Sequence, residues 1–313
     1  VSAPAVLRGV SVFYGEVVGL SAVSIELEPG ITGLVGPNGS GKTTLMKVLT
    51  GLMRPQEGEV RVAGLDPFTE AEARTGIAFV PAASAFFDGL SAMRNLEVAF
   101  LAKGIARAEA RHRAGEALKM VRLEGEGKRS YGTLSRGTRQ RVKLGLALAL
   151  EAPLVLLDEP FLGVDPPNRL ALRETILRLG SEGRTVVVSS HVLHEVEALT
   201  RKVGILAHGR LLGYGRIETL LHDLRDRHPH RIRLHGEEVR VLAAAVVGLE
   251  HVREVQVPEP GILEFVTERP DTLYRELPAL VASCGAPVRH LEAIDVGLEA
   301  VFRHVTEGGT RRL

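Results

Sequence analysis

One octapeptide constrains the fold of this chain more than any other feature. Gly36-Pro37-Asn38-Gly39-Ser40-Gly41-Lys42-Thr43 satisfies G-x-x-x-x-G-K-[ST] in full. A short apolar run, residues 31–35, precedes it, and a helical pattern follows with Leu45, Val48, Leu49 and Leu52 on one face. Strand, glycine loop and helix make half of a βαβ unit, which predicts an α/β domain with a parallel sheet. The glycines let successive backbone N–H groups turn inward, where a Cβ would block phosphate, and the positive end of the helix favours the same anion. Lys42 is expected to reach the β- and γ-phosphates of a nucleotide and the Thr43 hydroxyl to ligate Mg²⁺, with Thr44 completing the nucleotide-binding set.

The rest of that sheet is visible downstream. Residues 154–157 and 185–189 are continuous apolar or β-branched runs, as in strands buried on both faces. The first delivers Asp158, Glu159 and Pro160 at its C-terminal end, where ligands bind in open α/β sheets. Asp158 is placed to hold the Mg²⁺ shell and Glu159 to polarise an attacking water as general base. Residues 10–13 and 23–27 read as strands separated by a turn at Gly15, and residues 92–150 read almost wholly helical.

A different composition begins near His222. Residues 222–231 are polar, contain a proline and carry three histidines, but lack carboxylates or cysteines at metal-site spacing, so they read as a solvated linker. Beyond them the order is strand 231–234, helix 239–249, strands 252–257 and 262–267, helix 272–283, strand 288–294 and a closing helix at 298–305. This βαββαβ order predicts a small ferredoxin-like α+β domain. The boundaries are therefore 1–221 for the core, with its helical insertion at about 85–150, and 222–313 for the accessory domain.

Composition excludes several functions. Lys and Arg number 39 against 38 Asp and Glu, a net charge of +1, and there is no basic tract, so no nucleic-acid partner is expected. Aromatic residues are 4% of the chain with no Trp, which leaves few platforms for stacking bases. The single cysteine, Cys284, has no disulfide partner and reads as a small hydrophobe near a helix end. The longest apolar runs, 144–150 and 241–249, fall short of the roughly 18–20 residues that cross a bilayer. No secretory signal is expected either. Work at a membrane would proceed through a partner.

A phosphate loop alone does not separate an ATP-driven motor from a GTPase or a kinase. Thr133-Leu134-Ser135-Arg136-Gly137-Thr138-Arg139-Gln140-Arg141, at the head of an apolar-periodic helix, does. Here the sequence resembles the ATP-binding subunits of ABC transporters, whose Leu-Ser-Gly-Gly-Gln signature often takes the form Leu-Ser-Arg/Lys-Gly-Met in exporters. Arg136 and Thr138 depart from the consensus; Leu134, Ser135 and Gly137 retain it. The resemblance covers nearly the whole chain. It implies an α/β P-loop NTPase core of the ABC ATPase type, a mixed sheet with a helical subdomain, plus the ferredoxin-like domain. It also implies that the signature of one chain closes on the ATP held by another, in a homodimer or a heterodimer.

The same resemblance gives Tyr14 as the aromatic that stacks on adenine, Asp165 in Gly163-Val164-Asp165-Pro166 as the D-loop residue at the dimer interface, and His191 as the switch histidine that contacts γ-phosphate. Residues 296–306 resemble the ending of subunits that serve ABC-2-type exporters. The implied partner is an integral-membrane permease, the implied place the cytoplasmic face of the cell membrane, and the implied reaction ATP hydrolysis with Mg²⁺. One element is missing. After Ile77-Ala78-Phe79-Val80-Pro81 the family has a glutamine that contacts Mg²⁺ and the attacking water; here Ala82 and Ala83 stand instead, and neither side chain can coordinate. The consequence is slower hydrolysis, replacement by water or another side chain, or altered coupling; since Glu159 and His191 persist, hydrolysis is expected to survive, and a regulatory subunit with weak hydrolysis is the alternative reading. Phe86, Phe87 and Leu90 continue the segment that faces the membrane partner. The cargo is not legible, and the accessory domain reads equally as a modulator of dimerisation or as a structural cap.

Overall fold

The computed structural model describes residues 4–83, 86–220 and 230–294. It divides into two compact units between Gly215 and Arg216. That division falls ahead of the polar segment at 222–231, most of which lies outside the described residues, as do the 298–305 helix and the 296–306 ending.

In the first unit β1 (Ala5–Tyr14) and β2 (Val17–Leu27) form an antiparallel hairpin, turned at Gly15 with φ +62°. With β4 (Glu57–Val62) they make a three-stranded sheet in the order β2-β1-β4. The second sheet holds β3 (Gly30–Val35), β5 (Ile77–Val80), β6 (Leu154–Leu157), β7 (Thr185–Ser190), β8 (Lys202–Ala207) and β9 (Arg210–Arg216), in the order β5-β6-β7-β3-β8-β9. The pairs β5/β6, β6/β7, β7/β3 and β3/β8 are all parallel.

Both faces of that sheet are covered, which is why its strands lack alternation. Leu154 and Leu156 of β6 enter a core with Leu45, Met46 and Leu49 of α1 (Lys42–Leu49) and with residues of β1 and β2. Val155 and Leu157 enter the opposite core, built with α3 (Ala92–Ala102), α4 (Arg107–Met120), α5 (Arg136–Ala149) and α6 (Pro166–Ser181). The short helices α2 (Ala71–Thr75) and α7 (Leu193–Glu197) complete the unit. The insertion is helical as read, but as three helices, with two 3₁₀ turns between α4 and α5. α4 and α5 approach closely: a Cβ on Gly145 would sit 2.6 Å from the Ala117 carbonyl. α1 is shorter than its apolar periodicity. It stops at Leu49, Gly51 follows at φ +74°, and Leu52 is left exposed instead of joining the buried face.

The second unit contains β10 (His230–Gly236), α8 (Val239–Val247), β11 (Val252–Glu259), β12 (Ile262–Thr267), α9 (Pro270–Cys284) and β13 (Val288–Ala293). The strand order β11-β12-β10-β13, with all three pairings antiparallel, is the ferredoxin-like arrangement. Ile232 and Leu234 of β10, Leu263 and Phe265 of β12, Leu242 and Val246 of α8 and Leu273 of α9 form its own core. Cys284 ends α9 and packs against that core.

Candidate nucleotide site

Parallel pairing brings four loops to one edge of the sheet. Val80, Leu157 and Val188 stand side by side in β5, β6 and β7, and Val35 of β3 pairs with Ser190. The segments starting at Gly36, Pro81, Asp158 and His191 therefore leave neighbouring strands at their C-terminal ends, the ligand edge of an open α/β sheet.

The loop after β3 admits only glycine at two positions. A Cβ on Gly36 would lie 2.3 Å from the Leu206 carbonyl and 2.4 Å from Ser40 Oγ. Gly41, the N-cap of α1, has φ +106°, and its Cβ would lie 2.6 Å from the Gly19 carbonyl. Within the loop the Ser40 N–H donates to the Pro37 carbonyl at 3.1 Å, and Ser40 Oγ is buried without a hydrogen-bond partner among the described residues. Asn38 and Gly39 lie on the exposed side. Lys42 is buried, and its Nζ donates to the Gly36 and Pro37 carbonyls at 2.6 and 3.1 Å. It also lies 3.5 Å from Glu159 Oε1. Burial pushes the Lys42 ammonium below its ordinary range, opposed by the charges of Glu159 and Asp158.

Asp158 is held from two sides. The Thr43 hydroxyl donates to Oδ2 at 2.8 Å and the Ser189 hydroxyl to Oδ1 at 2.7 Å. Ser189 in turn accepts the Glu159 N–H at 2.9 Å. Sequence reasoning passed over Ser189 as one more strand residue; a hydroxyl within a wholly buried strand was the available signal. Glu159 has φ +47°, a left-handed conformation that costs about 1–3 kcal/mol in a non-glycine residue and tends to mark functional sites. Its Oε2 lies 2.9 Å from His191 Nδ1, while Oε1 is buried without a hydrogen bond. Lys42, Asp158, Glu159 and His191, separated by up to 149 positions in the chain, thus form one cluster.

Thr43 and Asp158 offer two hard oxygens, a donor set that suits a small hard cation whose other ligands come from phosphate and water. Among the described residues no group of three or more His, Cys, Asp or Glu gathers to bind a metal on protein ligands alone. His230 opens β10; His222 and His228 lie outside the described residues.

The remaining candidates lie around this cluster. The Tyr14 hydroxyl meets Thr44 Oγ1 at 3.2 Å and Met53 Sδ at 3.0 Å, with the side chain 46% exposed. Leu134 precedes Ser135, which caps α5 by accepting the Thr138 N–H at 3.1 Å. Among the described residues no hydrogen bond or ion pair joins residues 134–138 to the glycine loop of the same chain. Gly137 faces α6 instead: its Cβ would lie 2.8 Å from Asn168 Cβ, and a Cβ on Gly163 would lie 2.9 Å from Arg136 Nη1. Asn168 donates to both Asp165 oxygens, at 2.8 and 3.1 Å, and holds that carboxyl below its ordinary range. At Ala82 no side chain reaches into the site. Phe86 stacks edge-on against Tyr131 at 5.3 Å, and Phe87 is exposed.

The glycine cradle and the carboxylates at the same sheet edge agree with the comparisons to known proteins. Residues 20–162 match the family model "ABC transporter". The linearmycin resistance ATP-binding protein LnrL of Bacillus subtilis is 33% identical over 296 residues, covering 94% of this chain and 95% of its own. The chain belongs to the ABC transporter ATP-binding family. This ABC subunit is also 32% identical over 260 residues to the doxorubicin resistance ATP-binding protein DrrA of Mycobacterium tuberculosis, covering 81% and 78% of the two chains. A dimeric ATP-binding cassette solved in a post-hydrolysis state with ADP and phosphate is 27% identical, with a TM-score of 0.61 over 68% of this chain and 98% of that one. The ABC subunit is accordingly an ATPase with the α/β P-loop fold. None of its described helices is long and apolar enough to cross a membrane.

Proposed function

We propose that this chain powers an exporter: two copies, or this chain and a related one, close around ATP and drive a separate integral-membrane permease from the cytoplasmic face of the membrane. The observation that carries this reading is the Glu159 carboxylate held between Lys42 and His191, one residue from Asp158. The resistance proteins it resembles and the dimeric cassette support export and pairing.

Each residue then has a task. The loop N–H groups from Gly36 to Thr43 bind phosphate, and Lys42 exchanges the Gly36 and Pro37 carbonyls for phosphate oxygens. That exchange releases Glu159 from its ion pair to take a proton from the attacking water. His191 orients Glu159 and contacts γ-phosphate. Tyr14 packs on adenine, Ser135 and Gly137 complete the partner's site, and Asp165 lies at the shared interface. Thr43 and Asp158 would hold Mg²⁺, which would supply charge neutralisation at the transferring phosphoryl group. A state that binds ATP more tightly than ADP when closed opens after hydrolysis, and this difference in affinity is the source of work.

Glu159→Gln is expected to keep ATP binding, lower turnover by about 10²-fold or more, and accumulate a dimer at saturating Mg·ATP, read by light scattering. A species that stays monomeric under those conditions overturns the reading. Ala82 favours a second possibility, a nucleotide-responsive regulatory subunit. Turnover of the chain and of Ala82→Gln distinguishes them: a regulatory subunit stays at the level of Lys42→Ala in both.

A further inference from the structure

Helix α5 buries Val142, Leu144, Ala147 and Leu148, and among them it buries a lysine. Lys143 is 5% exposed. Such burial is rare for lysine unless its ammonium is partnered, and here the partners are backbone carbonyls. Nζ donates to the Pro81 carbonyl at 2.7 Å and lies 3.4 Å from the Ala83 carbonyl. These two groups flank Ala82, the position that lacks a side chain able to reach the nucleotide.

The contact leads directly to the site. The Asp158 N–H donates to the Val80 carbonyl at 2.9 Å, so the backbone that delivers Asp158 is fastened to the strand whose outgoing loop Lys143 holds. Burial pushes the Lys143 ammonium down to about 8, and the charge of Asp158 opposes that shift. Gln140, one turn earlier on the same helix face, is also buried, and its Nε2 has no partner among the described residues. The N-cap of this helix is Ser135, eight residues away, about 12 Å along the axis. One helix therefore carries both the signature serine and the cation that grips the loop after β5.

We propose that Lys143 is a positioning residue for ATP hydrolysis, holding the loop after β5 from the helix side and taking over the placement that a glutamine at position 82 would supply from within the loop. The inference rests on the chain hydrolysing ATP. Ala82 and Lys143 act as one unit: position 82 carries no polar side chain, and the helix supplies a donor to the carbonyls on either side. A glutamine returned to position 82 makes the lysine dispensable.

Lys143→Met, similar in volume and without the ammonium, tests this in the full-length chain alongside Ala82→Gln and the double variant. Steady-state phosphate release is expected to show kcat at least tenfold lower in Lys143→Met with KM for ATP within twofold, and at least half of the lost rate restored in the double variant. Amide exchange in peptides containing Ala82 and Ala83 is expected to accelerate in Lys143→Met, while peptides spanning 36–49 stay unchanged. A kcat within twofold of the parent with unchanged exchange overturns the proposal; so does a loss of turnover that Ala82→Gln leaves unrestored. If the parent itself turns over no faster than Lys42→Ala, it is the hydrolytic reading that has failed, and exchange alone then decides whether Lys143 holds the loop. Lys143→Arg, which keeps the charge and the donors, replaces the methionine variant if that one does not fold, and is expected to retain slow exchange at Ala82 and Ala83; parent-like turnover with fast exchange in it overturns the proposal.

Discussion

Burying an ammonium leaves a signature in the pH dependence of stability. Lys143 releases its proton at about 8 in the fold, against 10.5 in the open chain. Between those values the unfolded chain binds more protons, so stability rises with pH across that window. The cost of the buried charge is full below pH 8 and has largely gone by about 10.5. It amounts to roughly 3 kcal/mol for a shift of this size. Lys143→Met carries no such cost, so its Tm relative to the parent in nucleotide-free protein is expected to fall as pH climbs from 8 to 10.5; a difference constant across that range contradicts it. Lys143 gave no signal beforehand, and Ser189 only that of a hydroxyl in an apolar strand. Lys42, Thr43, Asp158 and Glu159 sit in contiguous motifs whose spacing is dictated by phosphate geometry. Ser189 and Lys143 act through partners 31 and 62 positions away, and a single lysine in an amphipathic helix looks like a solvated one until the loop that covers it is placed.

Between elements, the junction of α5 and α6 joins two segments that the sequence shows only separately. Gly137 lets Asn168 approach, and Asn168 holds Asp165 while accepting from Arg141 Nη1 at 3.1 Å. The next residue, Arg169, reaches Glu195 Oε1 at 3.0 Å, and Glu195 accepts the Ser190 hydroxyl at 2.7 Å beside His191. Asn168 thus ties the Asp165 carboxylate to α5, and its neighbour Arg169 ties the start of α6, through Glu195, to Ser190 at the end of β7, next to His191. Asn168→Ala is expected to cost about 1 kcal/mol of stability and to weaken ATP-dependent dimerisation of Glu159→Gln at least threefold, read by light scattering. Parent-like dimerisation places Asp165 outside the closing surface. Strands were the most legible elements because burial on both faces leaves long apolar runs, as in β6 and β7. Helix ends were less so: the spacing of Leu45, Val48, Leu49 and Leu52 continues past Leu49, but the positive φ of Gly51 stops the helix.

The whole chain holds separate apolar cores on either side of residue 215, and the ligand belongs to one of them. A ligand that binds only the native state stabilises the unit containing its site, by about 2.7 kcal/mol at a hundred times Kd. Cavity formation at a fully buried phenylalanine costs about 3–5 kcal/mol, and it is felt by the core that loses the ring. Phe265 is 0% exposed in the second unit, among Leu234, Leu242 and Leu263. Calorimetry of the full chain is therefore expected to resolve two transitions. Mg·ATP raises the one that Lys42→Ala makes insensitive to nucleotide, and Phe265→Ala lowers the other while leaving the ATP shift intact. A single transition displaced by both perturbations shows that the accessory unit is energetically continuous with the ATPase core. In that case nucleotide binding reaches β10–β13, and the second unit reports on the site instead of folding independently of it.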